Sequence, residues 1–72
     1  MARYTAGRSD LGVDVRARRK DLGLTQVDVA ELAGVSARFV MELEQGKPTV
    51  RLDKLSAVLD AMGLRLRAEV WH

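Results

Sequence analysis

Residues 24–46 read LTQVDVAELAGVSARFVMELEQG, and this stretch predicts two short helices joined by a tight turn. Thr25 stands three residues before Asp28, the spacing of a capping box in which each side chain accepts from the other residue's amide. Gly34 follows the first apolar run at the point where a helix must end, and Ser36 is placed to cap the next helix. A glycine also follows the second run. The stretch therefore predicts two helices with a sharp change of direction between them.

Apolar residues recur at helical spacing in both segments and in the two segments that flank them. The core should be aliphatic, because the chain contains one Phe, one Tyr and one Trp. We expect a first helix over residues 11–22, capped by Ser9 or Asp10, and a last helix over residues 52–62. The expected inward-facing positions are Leu11, Val15, Leu22, Val29, Ala30, Leu32, Ala33, Val40, Leu43, Leu52, Leu55, Val58, Leu59 and Met62.

The composition predicts one small domain without catalytic residues. Seventy-two residues build a single core of marginal size, for which a second copy is a common source of stability. There is no cysteine, no apolar run near the ~20 residues that cross a bilayer, and no signal-peptide core, so we expect a cytoplasmic protein and no membrane partner. The single histidine is His72, and no metal-ligand cluster or nucleophile–base pair is present. We expect no enzyme, no cofactor and no metal.

Two short helices joined through a glycine turn match the helix-turn-helix unit, whose second helix enters the major groove of DNA. The stretch resembles the Xre/Cro/C1-type family of transcriptional regulators, whose usual run LTQ-x-x-LA-x-x-AGVS-x-x-x-(I/V)-x-x-(L/I)E-x-G is almost intact here, with Val29 where leucine is commoner. The link GKPTVRLDKL and the C-terminal LRLRAEV segment resemble the HipB-like antitoxin branch more than the phage repressors. The resemblance spans residues 11–64. It implies a mainly all-α, four- to five-helix, lambda-repressor-like DNA-binding domain.

The resemblance implies that the second helix of the unit reads the bases. The groove-facing positions that carry over are Ser36, Ala37, Arg38, Met41 and Glu42. Arg38 is the strongest reader, because a guanidinium can donate a bidentate pair to O6 and N7 of guanine. Ala37 and Met41 offer only apolar contacts to thymine methyls, while Glu42 either accepts from a cytosine amine or orients Arg38. With so few polar readers, we expect DNA shape to contribute to specificity.

Phosphate contacts are expected around this second helix. The start of the preceding helix, at Thr25 and Gln26, is an anion site, and the resemblance implies that Gln26 contacts a phosphate. The following loop can lie along the backbone, and the basic residues of the first helix are either phosphate contacts or a solvated face. These candidates are Lys47, Thr49 and Arg51 in the loop and Arg16, Arg18 and Lys20 in the first helix. By resemblance, Arg19 pairs with Glu44 and ties the first helix to the reading helix.

The last residues predict a strand that dimerises. Leu64, Leu66, Ala68 and Val70 alternate with polar or aromatic residues, the period of a strand with one apolar face. A lone strand needs a partner for its backbone groups, and the rest of the chain offers none. We expect a second copy to pair with it antiparallel, as HipB-like proteins do, with Trp71 anchoring the dimer or another partner. The competing interpretation is a frayed tail.

The chain divides into a basic arm (residues 1–9), a helix-turn-helix DNA-binding domain (residues 10–63), and a dimerisation strand and tail (residues 64–72). The arm either follows the DNA backbone or minor groove, or it frays. The expected function is that of a sequence-specific repressor, binding a palindromic double-stranded operator as a homodimer and serving as the autoregulating antitoxin of a toxin–antitoxin pair. The alternatives are an interaction module whose main role is to neutralise a HipA-like kinase toxin, and a stand-alone Xre-type regulator without a toxin.

Overall fold

The computed structural model of the chain describes residues 8–47 and 49–66, and every regular element within these ranges is a helix. The mainly α-helical prediction is therefore confirmed over this part of the chain. The elements, in chain order, are α1 (Arg8–Asp21), α2 (Gln26–Ala33), α3 (Ala37–Glu44) and α4 (Leu52–Ala61). The helix α2 packs against both α3 and α4, and α1 packs against α3.

The turn between α2 and α3 forms as its sequence predicts. The Thr25 hydroxyl accepts from the amide of Asp28 at 3.0 Å, and the Asp28 carboxylate accepts from the amide of Thr25 at 2.9 Å. Gly34 ends α2 with a φ of 73°, a left-handed conformation that costs a glycine little. The Ser36 hydroxyl then accepts from the amide of Phe39 at 3.0 Å and caps α3. These caps and the glycine turn involve residues close together in the sequence, and together they fix the angle between the two helices.

The first helix begins earlier than predicted. We expected it to start at Leu11 behind a cap at Ser9 or Asp10, but both of those residues lie inside α1, which begins at Arg8. No glycine or proline stands between Arg8 and Leu11, so nothing stops the helix from extending by one more turn. The basic arm is shorter in consequence, and the remainder of it, residues 1–7, lies outside the described residues.

The core lies where the four helices meet. Three apolar positions predicted to face inward are wrong, because Leu22, Leu32 and Leu52 are exposed. Leu22 falls in the turn after α1, Leu32 points well away from the buried side of the two-turn helix α2, and Leu52 is the first residue of α4 at the edge of the core. The buried residues are Val15, Val29, Ala30, Val40, Leu43, Leu55, Val58, Leu59 and Met62.

The chain after α4 forms no strand over residues 64–66. Leu64 donates its amide to the carbonyl of Leu59 at 2.8 Å, and the half-buried side chains of Leu64 and Leu66 pack against the core of their own chain. The other predicted dimerisation residues, Ala68, Val70 and Trp71, lie outside the described residues. Over residues 64–66 the predicted strand is absent from the single chain, whose own core these apolar side chains cover.

Candidate nucleic-acid interface

The outward side of α3 is held toward solvent by the residues on its inner side. Val40 and Leu43 are buried in the core, so the helix cannot rotate without exposing them. Arg38 and Met41 are exposed on the other side, with 80% of the Arg38 side chain accessible. Ala37 is half-buried against the core and therefore offers less surface than its position in the motif suggests.

Glu42 bridges the two cations on this side of α3. Its Oε2 accepts from Nε of Arg38 at 3.2 Å, and its Oε1 accepts from Nζ of Lys47 at 3.2 Å. The hydrogen bond from Lys47, followed by the one from Arg38, lowers the pKa of the Glu42 carboxyl below its usual value. Glu42 is therefore ionised at neutral pH, and it contacts Arg38 through Nε, which leaves the two terminal nitrogens of this exposed guanidinium available to donate.

Some of the candidate phosphate-contacting residues already make hydrogen bonds within the chain, and others are exposed. The Thr25 hydroxyl already caps α2, although its own hydrogen remains to be donated. Arg51 pairs with Asp53 through two hydrogen bonds of 3.1 and 2.7 Å. Arg16 and Thr49 are exposed. Thr49 and Arg51 line one groove beside α3 together with Lys47, whereas Arg16 lies on α1.

Glu44 lies at the centre of a half-buried polar cluster behind α3. Nε and Nη2 of Arg19 donate to Oε2 and Oε1 of Glu44 at 2.6 and 2.9 Å, and Nη1 of Arg19 donates to the carbonyl of Leu24 at 2.9 Å. Gln26 completes the cluster by donating its side-chain amide to Oε1 of Glu44 at 3.1 Å. The ion pair joins α1 to α3, and Gln26 joins α2 to the same carboxylate. Any phosphate contact by Gln26 must use the other hydrogen of this amide.

Burial alone would raise the pKa of the Glu44 carboxyl, but the hydrogen bonds from Arg19 and Gln26 outweigh it and lower the pKa. The folded-state pKa then lies below that of the unfolded chain, about 4.3 for an ordinary glutamate. The resulting stability is fully present above that value and is lost as pH falls through the folded-state pKa.

We therefore expect the difference in unfolding free energy between the wild type and Glu44→Gln to shrink as pH falls from about 6 to about 3, because a protonated Glu44 resembles glutamine. Urea denaturation followed by circular dichroism at each pH measures this difference. Glu31→Gln, at an exposed position of α2, is the matched control. A difference that stays constant with pH would contradict the lowered pKa.

Two basic residues have contacts that sequence reasoning missed. Arg18 donates Nε to the carbonyl of Met62 at 2.8 Å, so it ties α1 to the end of α4. Lys54 lies with Nζ 5.9 Å from the centre of the Phe39 ring, a cation–π distance. Neither contact has a signal in the sequence, because each joins residues whose approach depends on how the helices pack.

Among the described side chains, no group of three or more His, Cys, Asp or Glu is placed to hold a metal ion. In the same part of the chain, no helix is long and apolar enough to cross a membrane.

Residues 10–71 match the model of a helix-turn-helix domain family. The chain belongs to this family. It is 41% identical over 63 residues to an uncharacterised helix-turn-helix-type transcriptional regulator of Sinorhizobium fredii, an alignment that covers 88% of the chain and 83% of the relative. It is also 35% identical over 60 residues to the immunity repressor protein of Bacillus phage phi105, and this alignment covers 83% of the chain but 42% of the repressor.

Two solved structures share the fold of the chain. The crystal structure of the clp gene regulator ClgR from Corynebacterium glutamicum superposes with a TM-score of 0.72 and 36% identity, over 81% of the chain and 62% of that regulator. A second structure of the same regulator gives a TM-score of 0.73 over 82% of the chain and 76% of the regulator. Within the matched region, α2 and α3 form the helix-turn-helix unit.

Proposed function

We propose that this helix-turn-helix transcriptional regulator is a sequence-specific repressor that binds a palindromic double-stranded operator as a homodimer. The observation that carries the proposal is the outward side of α3, where Arg38 is 80% exposed beside the Glu42 and Lys47 side chains. In a helix-turn-helix unit this is the side that enters the major groove. The phage immunity repressor among the relatives supports repression as the mode of action.

Arg38 carries the base recognition in this proposal. Glu42 engages its Nε, which leaves both terminal nitrogens to donate side by side to O6 and N7 of a guanine. Holding the guanidinium before DNA arrives reduces the side-chain entropy that binding would otherwise cost. Met41, beside Arg38 on the same exposed side, adds apolar contact to thymine methyls. The structure thus supports the orienting role of Glu42 over acceptance from a cytosine amine.

A second copy of the chain supplies the sequence discrimination that one recognition helix cannot provide alone. One arginine and a few apolar contacts discriminate by only about 1–3 kcal/mol, whereas two half-sites read together multiply the preference. The two recognition helices of such a dimer lie about 34–36 Å apart. We place the dimer contact at the C-terminal segment from Leu64 onward, whose apolar alternation favours pairing with its own copy. Leu64 and Leu66 already bring this segment against the core.

The second candidate function is the antitoxin of a toxin–antitoxin pair. The link after α3 and the LRLRAEV segment favour it, since both resemble the HipB-like branch. In this case the chain also binds a HipA-like kinase toxin, and Trp71 is the proposed anchor for that partner. The neighbouring reading frame discriminates between the functions: a kinase-like gene directly beside this one favours the antitoxin, and a gene standing alone favours a stand-alone regulator.

Selection of bound sequences from random DNA, together with a mass measurement of the free protein, tests the repressor proposal. We expect an enriched palindromic motif and a dimeric mass. Monomeric protein without an enriched motif would overturn both the dimer and the operator.

Arg38→Ala should then reduce the preference for the selected operator over random DNA by about 1–3 kcal/mol for each half-site, because the guanine contact is lost. Competition binding with the two DNAs measures this preference. Arg51→Ala is the matched control, and we expect it to weaken binding to both DNAs by a similar factor. Equal losses on both DNAs from Arg38→Ala would show that Arg38 contacts only the backbone.

A further inference from the structure

A basic groove opens between the start of α3, the loop that follows α3, and the first turn of α4. Its volume is about 370 Å³, and it is continuous with the outward side of α3 because Arg38 and Glu42 form one wall. Ser36 and Phe39 lie on the same wall, and three basic residues and one threonine from the loop and α4 complete the lining. These are Lys47, Thr49, Arg51 and Lys54.

The four cations of the groove differ in what they already contact. Arg38 and Lys47 share the Glu42 carboxylate, and Arg51 pairs with Asp53 at 2.7 Å. Within residues 8–47 and 49–66, Lys54 is the one cation of this groove whose charged group no carboxylate contacts, since Asp53 accepts only from its backbone amide. It lies instead beside the face of Phe39, 5.9 Å from the ring centre. An incoming anion can therefore bind Lys54 without breaking an ion pair.

We propose that this groove is a seat for a DNA backbone phosphate, with Lys54 as its principal cation. The inference rests on the repressor function proposed above and adds a contact that the helix-turn-helix motif does not include, since Lys54 lies beyond it on α4. The rims of the major groove are lined by phosphates, and a recognition helix that enters the groove brings its flanks against them. The groove lies on such a flank.

Two other groups complete the seat. The Ser36 oxygen accepts from the amide of Phe39, which leaves its hydroxyl hydrogen to donate to a phosphate oxygen. Thr49 is exposed on the opposite lip with a second hydroxyl. Ser36 thus contacts the backbone in this proposal, in place of a base edge. Phe39 limits the directions that the Lys54 side chain can take, which lowers the entropy cost of the contact.

Lys54→Gln tests the seat with little change in side-chain length. We expect roughly fivefold to tenfold weaker binding at low salt on operator and random DNA alike, with the ratio between them unchanged. The slope of log K against log salt should fall by about 0.9 for each half-site, the value for one phosphate contact, and therefore by about 1.8 for the dimer. Lys54→Arg should restore the slope. Asp60→Asn, which changes the net charge by one unit at an exposed position near the end of α4, should leave the slope near that of the wild type.

The other outcomes overturn the proposal in distinguishable ways. A loss confined to the operator would make Lys54 a base contact, and unchanged binding by Lys54→Gln beside a binding wild type would remove the seat altogether. NMR signals of Lys54 that shift with millimolar inorganic phosphate, combined with unchanged DNA affinity in Lys54→Gln, would assign the groove to a free anion instead. A wild type that binds neither DNA would overturn the repressor function on which the seat depends. Circular dichroism of each variant verifies that it is folded.

Discussion

Replacing Arg19 with methionine should lower the free energy of unfolding by about 3–5 kcal/mol, the usual cost of removing one partner from a buried ion pair. Only 11% of the Arg19 side chain and 3% of the Glu44 side chain are exposed, so the remaining carboxylate would stay poorly solvated. The carbonyl of Leu24 would lose its donor as well. A domain of 72 residues has a total stability of about 4–11 kcal/mol, and the variant should therefore lose a large fraction of it.

Urea denaturation of Arg19→Met and of Arg16→Met separates the ion pair from a general loss of charge. Arg16 stands three residues earlier on α1 and is exposed, so its replacement should cost less than about 0.5 kcal/mol. The double variant Arg19→Met, Glu44→Met should recover much of the loss, because two apolar side chains remove the stranded charge. Equal costs for the two single variants would show that the pair does not hold α1 to α3.

In the proposed repressor, the ion pair between Arg19 and Glu44 supports base recognition by holding α3 in place. Glu44 is the last residue of α3, and its carboxylate receives donors from α1 and α2 at once. The recognition helix is thereby fixed at one end by charge and along its inner side by Val40 and Leu43. A helix held in this way presents Arg38 to the groove in one orientation, which specificity requires.

The parts of the fold that sequence could predict are those that depend on neighbours along the chain. Examples are the caps at Thr25 and Ser36 and the turn at Gly34. Each involves residues within a few positions of one another, so it can be predicted directly from the sequence. For Leu32 this reasoning fails, because the residue was predicted to face inward and is exposed. Its helix has an apolar run that allows more than one buried side, and only the positions of α3 and α4 decide which one packs.

The candidate site also contains residues whose roles the sequence predicts and residues whose roles it does not. The exposure of Arg38 follows from the helical spacing of Val40 and Leu43. The pairing of Arg19 with Glu44 was expected only by family resemblance, because no spacing rule relates residues 25 positions apart. Lys54 had no signal at all, since its place in the groove depends on the path of the loop between α3 and α4.

Gly12 marks another contact that sequence alone did not predict, the close approach of α1 to α3. A Cβ atom built at Gly12 would lie 2.6 Å from the carbonyl oxygen of Leu43 and 2.8 Å from that of Glu44. Real Cβ atoms do not approach backbone oxygens so closely, and these oxygens belong to the last turn of α3, which cannot move alone. The absence of a side chain at this position is therefore what allows α1 to reach the end of the recognition helix.

Gly12→Ala should accordingly destabilise the domain by about 2–3 kcal/mol, the cost of overpacking a tight contact. This expected loss of stability is opposite to the usual effect of the substitution, because alanine in a helix interior is favoured over glycine by about 1 kcal/mol. The added methyl must push α1 and α3 apart, which lengthens the bonds from Arg19 to Glu44 and loosens the presentation of Arg38. Operator affinity should fall together with stability.

Val13→Ala provides the control, because Val13 is the next residue of α1 and is 62% exposed, so its truncation should change stability by less than about 1 kcal/mol. Thermal and urea unfolding of the two variants measure the contrast. If Gly12→Ala were as stable as the wild type or more so, helix propensity would outweigh the contact, and the close packing of α1 on α3 would be refuted. A loss of DNA binding with unchanged stability would equally contradict the argument, because the two effects share one displacement of α3.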